Sequence, residues 1–159
     1  MNETVVKEVR SVLIPLHGQQ LLLPNAAVAE VMSYQQPELA GDNFPEWFLG
    51  HLVWRGVMIP VVSFEGLLGE AVTMPSHRGR ILVLNALGEQ DRISHIGMAV
   101  QAIPSLVRVS EDNIVPIKPD SKEKPQPLIR QKVELDMSLA LIPDMDEVER
   151  LVLEVLSKL

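Results

Sequence analysis

The side chains of this chain that could carry out chemistry are, first, four histidines scattered along 159 residues. A metal site needs several ligands that converge on one ion, and the sequence contains no His-x-His or His-Glu-x-x-His arrangement. We therefore expect structural or solvent-exposed roles for the histidines, and we predict no metal site. They are His17, His51, His77 and His95.

A nucleophile and a base are neighbours at Ser94 and His95, within a predicted strand over residues 92–100. Consecutive strand residues point to opposite faces, so we expect that these two side chains form no direct Ser-His dyad. The sequence also has no Gly-x-Ser-x-Gly elbow, no phosphate-binding glycine-rich loop and no dinucleotide-binding unit. We predict that the protein is not an enzyme and uses no cofactor.

Three acidic pairs lie in predicted turns or helix starts. Carboxylates at such positions are usually solvated, or they cap the N-terminus of a helix. The pairs therefore give little support to acid–base catalysis. They are Glu89 with Asp91, Glu111 with Asp112, and Asp144 with Asp146.

Arg55 lies between two apolar runs in segment 47–69. Arginine is rarely buried without a partner, so Arg55-Gly56 predicts a hairpin turn whose guanidinium meets a polar group or a binding partner. Two explanations stay open at this point. Arg55 forms an ion pair within the chain, to a carboxylate such as Glu30 or Glu65, or it contacts another protein.

Two tryptophans, Trp47 and Trp54, lie in the same segment as Arg55. Large rings beside a turn are usually core residues, but aromatic residues and arginine are also enriched at the energetic centres of protein interfaces. The segment therefore favours recognition over catalysis.

Composition limits the class of protein and the class of partner. A length of 159 residues with 47% hydrophobic content fits one domain, or two tightly fused small units, with a real core. The net charge of −7 opposes binding to nucleic acid or to anionic membrane surfaces, and no basic cluster offsets it. We expect a protein or small-molecule partner and no nucleic acid.

Cysteine is absent, which excludes disulfides and thiolate metal sites. The first ten residues carry acids and lack the apolar run of a signal peptide. No later apolar run reaches the ~18 residues that a transmembrane helix needs. We expect a soluble cytoplasmic protein without direct membrane insertion.

The first half of the chain predicts short strands with short helices between them. Residues 12–23 predict a hairpin, and Asn25 caps a predicted short helix over residues 26–32 that carries Glu30. Residues 57–62 predict a strand in which Pro60 cannot donate to the ladder, so we expect a sheet edge or a bulge. Residues 65–69 predict a one-turn helix closed by glycine.

The second half continues this pattern. Residues 81–84 and 92–100 predict strands, residues 116–127 a solvated proline-rich loop, and residues 132–141 a single strand. From Asp144 onward, apolar residues at helical spacing predict an amphipathic helix that docks on the protein's own core. These elements together predict an all-β fold. The apolar positions of the helix are Val148, Leu151, Val152, Val155, Leu156 and Leu159.

Residues 47–62 resemble the signature of CheW-like chemosensory coupling proteins, Gly-x-x-x-x-Arg-Gly-x-x-x-Pro-Val. The match needs no gap. Similarity continues over the opening hairpin, the predicted helix at 28–31 and the central strands, and covers most of residues 10–150. The matching positions are Gly50, Arg55, Gly56, Pro60 and Val61.

The resemblance implies a fold of two small five-stranded SH3-like barrels packed together, with an apolar groove between them. A CheW-like domain would cover residues 10–150, and the helix at 144–159 would pack on it. It also implies a non-catalytic adaptor that joins the cytoplasmic tip of a chemoreceptor (a methyl-accepting chemotaxis protein) to the regulatory domain of a CheA-type histidine kinase. The positions carried over as candidate partner-binding residues are Val28, Glu30, Gly50, Arg55 and Gly56.

Two departures from the family pattern indicate changed surface chemistry. Val53 stands where the family often has asparagine, and residues 100–103 differ from a Val-Asp-Glu-Val-like run. They favour an accessory coupling protein of a type IV pilus chemosensory system, of the ChpC type, which would control twitching motility. The alternative is a β-barrel module that binds a small ligand in the groove between the barrels.

Overall fold

The computed structural model describes residues 7–39, 41–88 and 92–159. In these residues the chain forms short β-strands, two α-helices and one 3-10 helix. The strands are β1 (Val9–Leu16), β2 (Gln19–Pro24), β3 (Val28–Ser33), β4 (Phe48–Trp54), β5 (Val57–Val62), β6 (Arg80–Asn85), β7 (His95–Val100), β8 (Ser105–Val109), β9 (Ile114–Ile117), β10 (Ile129–Leu135) and β11 (Ser138–Pro143). The helices are α1 (Phe64–Leu67), α2 (Met145–Leu156) and the 3-10 helix Asn25–Ala27.

The strands form two mixed sheets. The six-stranded sheet has the order β8-β1-β2-β11-β10-β9, and the five-stranded sheet has the order β3-β6-β7-β5-β4. The chain begins in the larger sheet, forms the whole smaller sheet, and then returns to complete the larger one. The all-β prediction is confirmed, although one sheet has six strands where five were expected.

Both sheets curl towards closure. Strands β8 and β9 lie at opposite ends of the larger sheet, yet only residues 110–113 join them, so those ends must be close in space. In the smaller sheet, Glu38 follows β3 and exchanges two backbone hydrogen bonds of 2.8 Å with His51 of β4, at the other end. The sheets therefore have the barrel-like form that the resemblance implies.

Alternation along the strands sends side chains into three apolar clusters. In β6, Leu82 and Leu84 face the cluster between the two sheets, whereas Ile81 and Val83 face the interior of the smaller sheet. Leu22 of β2 faces the interior of the larger sheet. Because successive side chains along a strand point to opposite faces, each barrel has a core of its own, and the two barrels share a third core between them.

Helix α2 covers the shared core. It begins where Asp144 caps it by accepting a hydrogen bond from the Glu147 amide at 3.2 Å. Val148 and Val152 are fully buried against residues of both sheets. The prediction of a docked amphipathic helix is confirmed. Among the described residues, neither α-helix has the length and the apolar composition that spanning a bilayer requires.

The helix predicted over residues 26–32 is wrong. The chain forms only the 3-10 helix Asn25–Ala27 and then continues as β3, which pairs antiparallel with β6. Alanines gave this segment helix propensity, but the pairing with a buried neighbouring strand supplies backbone hydrogen bonds that override a weak local preference. Glu30 consequently lies on a strand.

Of the two placements expected for Pro60, a sheet edge or a bulge, the edge is wrong, because β5 lies between β4 and β7. Pro60 pairs with His51 of β4, and the ladder to β7 begins only at Val61. The N–H that Pro60 lacks would therefore lie just before the β5–β7 ladder, and the ladder does not need it as a donor. The register shift lies in the opposite strand, between Phe48 and Gly50.

The single strand predicted over residues 132–141 is a hairpin of β10 and β11. Its turn is Asp136-Met137, and both residues have positive φ, at 48° and 69°. The sequence carries no glycine or Asn-Gly signal at this turn, so its reversal was not predicted. The proline-rich loop is shorter than expected, since Pro116 belongs to β9.

Candidate partner-binding site at the β4–β5 hairpin

The turn between β4 and β5 consists of Arg55 and Gly56. Their φ angles are 48° and 77°, and Trp54 pairs with Val57 across the hairpin. Positive φ at both central residues is typical of the type I′ turn, whose twist matches that of the flanking strands. This turn directs Arg55 outward from the end of the hairpin, and 67% of its side chain is exposed.

The carboxylate of Glu30 is the partner of Arg55. Arg55 Nη2 donates to Glu30 Oε1 at 2.8 Å. Glu65, the other candidate, is buried elsewhere and accepts a hydrogen bond from the His17 amide at 3.3 Å. Burial raises the pKa of the Glu65 carboxyl. The intramolecular ion pair predicted as one alternative is therefore present, and it lies at the surface.

Trp54 adds a third member to this contact. Its indole Nε1–H donates to Glu30 Oε2 at 2.8 Å, and Arg55 Cζ lies 5.0 Å from the centroid of its ring. From the sequence, Trp54 was predicted only to be a core residue or an interface residue. The fold shows that it is 8% exposed and also bonds the carboxylate, because topology brings β3 beside the end of β4.

These contacts fix the charge state of Glu30. The hydrogen bond from Arg55 lowers the pKa of the Glu30 carboxyl most, and the bond from Trp54 lowers it further. At neutral pH Glu30 is thus an anion with both oxygens engaged. The remaining N–H donors of Arg55 are available to other groups, because an arginine carries five.

Exposed apolar side chains surround the Arg55 turn. Val53 and Met58 are a cross-strand pair, 61% and 67% exposed, and Val57 beside the turn is also exposed. An arginine among apolar side chains is the composition that protein interfaces favour at their centres. The arrangement suits contact with another protein.

Gly50 and Val28 serve the fold around this site. A Cβ on Gly50 would clash with the backbone of Glu38, which bridges antiparallel to His51 of β4, and the φ of Gly50 is 127°. Val28 packs against the core between the sheets, two residues before Glu30. The structure thus brings Glu30, Arg55 and Gly56 together and places the other two candidates in supporting positions.

Comparison with known proteins identifies the family. Residues 10–151 match the CheW-like domain. The chain belongs to this family. A similar solved structure is that of the scaffolding protein TtCheW from Thermoanaerobacter tengcongensis, with a TM-score of 0.72 and 20% sequence identity, covering 91% of this chain and 90% of that one. No curated protein matches the chain. Family membership supports a non-catalytic adaptor role in chemotaxis-type signalling.

An apolar groove opens between the two sheets of this CheW-like domain, at the start of α2. Its volume is about 260 Å³. Arg130, at one side, lies 3.6 Å from the carboxylates of Asp144 and Asp146. The apolar residues that line it include Leu23, Ala27, Leu84, Leu87, Ile142 and Met145.

The histidines and acidic pairs form no metal-ligand group within the described part of the chain. The expectation that Ser94 and His95 stay apart is wrong, because Ser94 Oγ lies 3.0 Å from His95 Nδ1. Ser94 precedes β7, so strand alternation does not apply to it. The His95 ring also packs against Trp54, at 4.5 Å between ring centroids.

The acidic pairs are placed as predicted where the structure describes them. Asp144 caps α2, and Glu111 and Asp112 lie in the turn between β8 and β9. Glu89 and Asp91 lie outside the described residues.

Proposed function

We propose that this CheW-like protein is a cytoplasmic adaptor that couples a chemoreceptor to a CheA-type histidine kinase. The observation that supports this most strongly is the exposed Arg55, held by Glu30 and Trp54 and surrounded by apolar side chains, in a member of the CheW-like family. The candidate site is built for contact with a protein surface.

The hairpin surface of Val53, Arg55, Val57 and Met58 is the proposed contact with the kinase regulatory domain. Transient signalling contacts usually bury less than about 1,200 Å² and give micromolar affinity. Such a contact gains most of its energy from a few residues near its centre. Arg55 is the candidate for that central position, because its guanidinium is fixed and accessible.

The groove between the sheets is the proposed contact with the receptor tip. An amphipathic helix binds a groove through apolar residues spaced by three or four positions. Leu23, Leu84 and Met145 supply an apolar floor from the two sheets and α2. We propose that a helical receptor tip packs the side chains of an apolar stripe against this floor.

Binding of the purified protein to a CheA-type regulatory domain and to a receptor-tip helix hairpin, by calorimetry, tests the proposal. We expect both to bind at tens of micromolar or better, and together in one complex. No binding to either at those concentrations contradicts it.

A matched pair of variants assigns the receptor contact to the groove. Leu87 lines the groove and is exposed, so Leu87→Asp should weaken receptor binding without unfolding the protein. Leu106 is an exposed leucine on β8, away from the groove residues, and Leu106→Asp should leave binding unchanged. Equal losses from both variants contradict the assignment.

We place the protein in a type IV pilus chemosensory system. The exposed Val53, where the family often has asparagine, supports partners that differ from those of flagellar coupling proteins. Deletion of the gene in a host with pili and flagella should reduce twitching and leave swimming intact. Loss of swimming alone contradicts this placement.

The apolar groove favours one second candidate, the binding of a small ligand. Its volume of about 260 Å³ lies just below the usual range of ligand pockets. A ligand that binds only the native state raises the melting temperature, so a thermal-shift screen with a metabolite panel distinguishes the two functions. A ligand that stabilises the protein, together with absent partner binding, would favour this candidate.

A further inference from the structure

Trp54, Glu30 and Arg55 form a closed triangle in which each side chain contacts the other two. One carboxylate oxygen of Glu30 accepts from Arg55 Nη2 and the other from Trp54 Nε1, both at 2.8 Å. Arg55 Cζ completes the triangle, 5.0 Å from the Trp54 ring centroid. The three residues come from two strands and one turn, so the fold must assemble them.

An exposed ion pair on its own leaves both long side chains largely free. Such pairs contribute little, because solvent screens the charges and because ordering the side chains costs entropy. Trp54 differs from its two partners, since it is nearly buried and belongs to the core cluster of the smaller sheet. His95 of β7 packs against its ring, at 4.5 Å between ring centroids. Of the three side chains, Trp54 is therefore the one that the core holds in place.

We propose that Trp54 is a positioning residue that holds the Arg55 guanidinium in the orientation that contacts the partner. The indole N–H of Trp54 orients the Glu30 carboxylate, and that carboxylate orients one N–H group of the Arg55 guanidinium. The Trp54 ring packs against the face of the guanidinium. The unengaged N–H donors of Arg55 therefore point away from the protein before a partner arrives. Preorganisation of this kind lowers the ordering cost of association.

This inference rests on the proposed function for the use of Arg55 in binding, but the positioning itself can be tested without a partner. Trp54→Phe keeps an aromatic ring and removes the N–H. Trp47→Phe is the matched control, because Trp47 packs against the core between the sheets. The structure gives Trp47 no hydrogen bond to Glu30 in the described residues.

The first experiment is a carbon-13 NMR titration of the Glu30 carboxyl in the free protein. We expect its pKa to rise towards the ordinary value in Trp54→Phe and to stay unchanged in Trp47→Phe. Nitrogen-15 relaxation of the Arg55 side chain should show greater mobility in Trp54→Phe alone. An unchanged Glu30 pKa or an unchanged Arg55 mobility overturns the positioning role, whatever the partner binding.

A measurement on the unmodified protein covers the case in which Trp54→Phe fails to fold. The indole N–H signal of Trp54 should shift with the titration of Glu30, and the signal of Trp47 should not. If neither signal follows Glu30, or both do equally, the specific Trp54–Glu30 bond is contradicted.

The second experiment measures affinity for the CheA-type regulatory domain. Trp54→Phe should weaken binding about two- to fivefold, the range expected when an exposed cation–π contact is weakened. In the Arg55→Ala background, the same change should have no further effect, because there is no guanidinium left to position. Losses that simply add overturn the inference. Absence of binding by the unmodified protein contradicts the proposed function instead.

Discussion

Two hairpins of this molecule share one turn geometry and differ in what their side chains do. The β4–β5 turn is Arg55-Gly56, and the β10–β11 turn is Asp136-Met137; all four residues have positive φ. Each turn has two central residues between paired strands. The backbone alone therefore does not distinguish a recognition site from a simple chain reversal.

The difference lies in contacts beyond the hairpin. Arg55 reaches across to Glu30 and packs over Trp54, whereas the Met137 side chain is 91% exposed. Strand β4 is also tied to the chain at Glu38 by two backbone hydrogen bonds. An exposed side chain has a defined orientation only where neighbouring elements hold it. Of these two turns, the β4–β5 turn has such neighbours, at Arg55.

The largest effect should come from the close contact between Gly50 of β4 and the backbone of Glu38. In Gly50→Ala, the new Cβ would overlap the carbonyl oxygen of Glu38, and the residue would keep an unfavourable φ of 127°. We expect a loss of about 3 kcal/mol or more in the free energy of unfolding. Urea denaturation measures it.

Gly18→Ala is the control for that prediction. Gly18 also has positive φ, at 74°, but apart from its chain neighbours no atom of the described residues lies within 4 Å of the position of its Cβ. Its cost should be about 1 kcal/mol, from backbone strain alone. Equal costs at Gly18 and Gly50 would show that the Glu38 backbone does not constrain β4.

The two turns should respond oppositely to changes in glycine content. Gly56→Ala places a side chain at φ 77° in open space and should cost about 1 kcal/mol. Met137→Gly relieves the strain of positive φ at Met137, but glycine loses more conformational entropy on folding. The net result should be a gain of about 0.5 kcal/mol in the free energy of unfolding. Urea midpoints check both. A destabilised Met137→Gly variant would mean that Met137 makes a contact that offsets its strain.

The smallest effect should be the pH dependence that Glu30 confers. Its pKa is lowered in the folded protein, so the unfolded chain takes up a proton at Glu30 more readily as the pH falls. The stability that the pair contributes is therefore complete above the ordinary pKa of about 4.5 and is lost as the pH falls through the lowered value. Thermal melts of Glu30→Gln should show a shallower decline below that pH.

Arg55→Ala provides the check on this sign, because it removes the largest cause of the lowered pKa. Its acid decline should resemble that of Glu30→Gln. If the melting temperature of both variants falls as steeply with decreasing pH as that of the unmodified protein, the Glu30–Arg55 pair does not contribute to stability.

Local sequence signals account for the first hairpin but not for the second. Arg55-Gly56 interrupts two apolar runs and ends in a residue that tolerates positive φ, so a turn was predictable. Asp136-Met137 offers no such signal, and pairing of β10 and β11 with the rest of the larger sheet holds it in place. Tertiary pairing likewise converts residues 28–33 from a predicted helix into β3.

The candidate site, like the fold, could be predicted from the sequence only in part. Glu30 could be predicted from the sequence as one possible partner of Arg55, because an arginine is rarely buried without a polar contact or a binding partner. It could not choose between Glu30 and Glu65, nor find the bond from Trp54, since both depend on which strands lie side by side. Gly50 was a candidate only through the resemblance to the CheW-like signature, and the close approach of the Glu38 backbone that requires a glycine there is visible only in the fold.

The affinity of the CheA-type regulatory domain for Arg55→Ala and Met137→Ala, measured beside the unmodified protein, tests the central claim most directly. Both variants remove an exposed side chain from a turn of the same geometry, and both should melt close to the unmodified protein. We predict that Arg55→Ala weakens binding about tenfold or more and that Met137→Ala leaves it unchanged. Equal affinities for the two variants, or unfolding of Arg55→Ala, would contradict the claim that the β4–β5 hairpin is the recognition site.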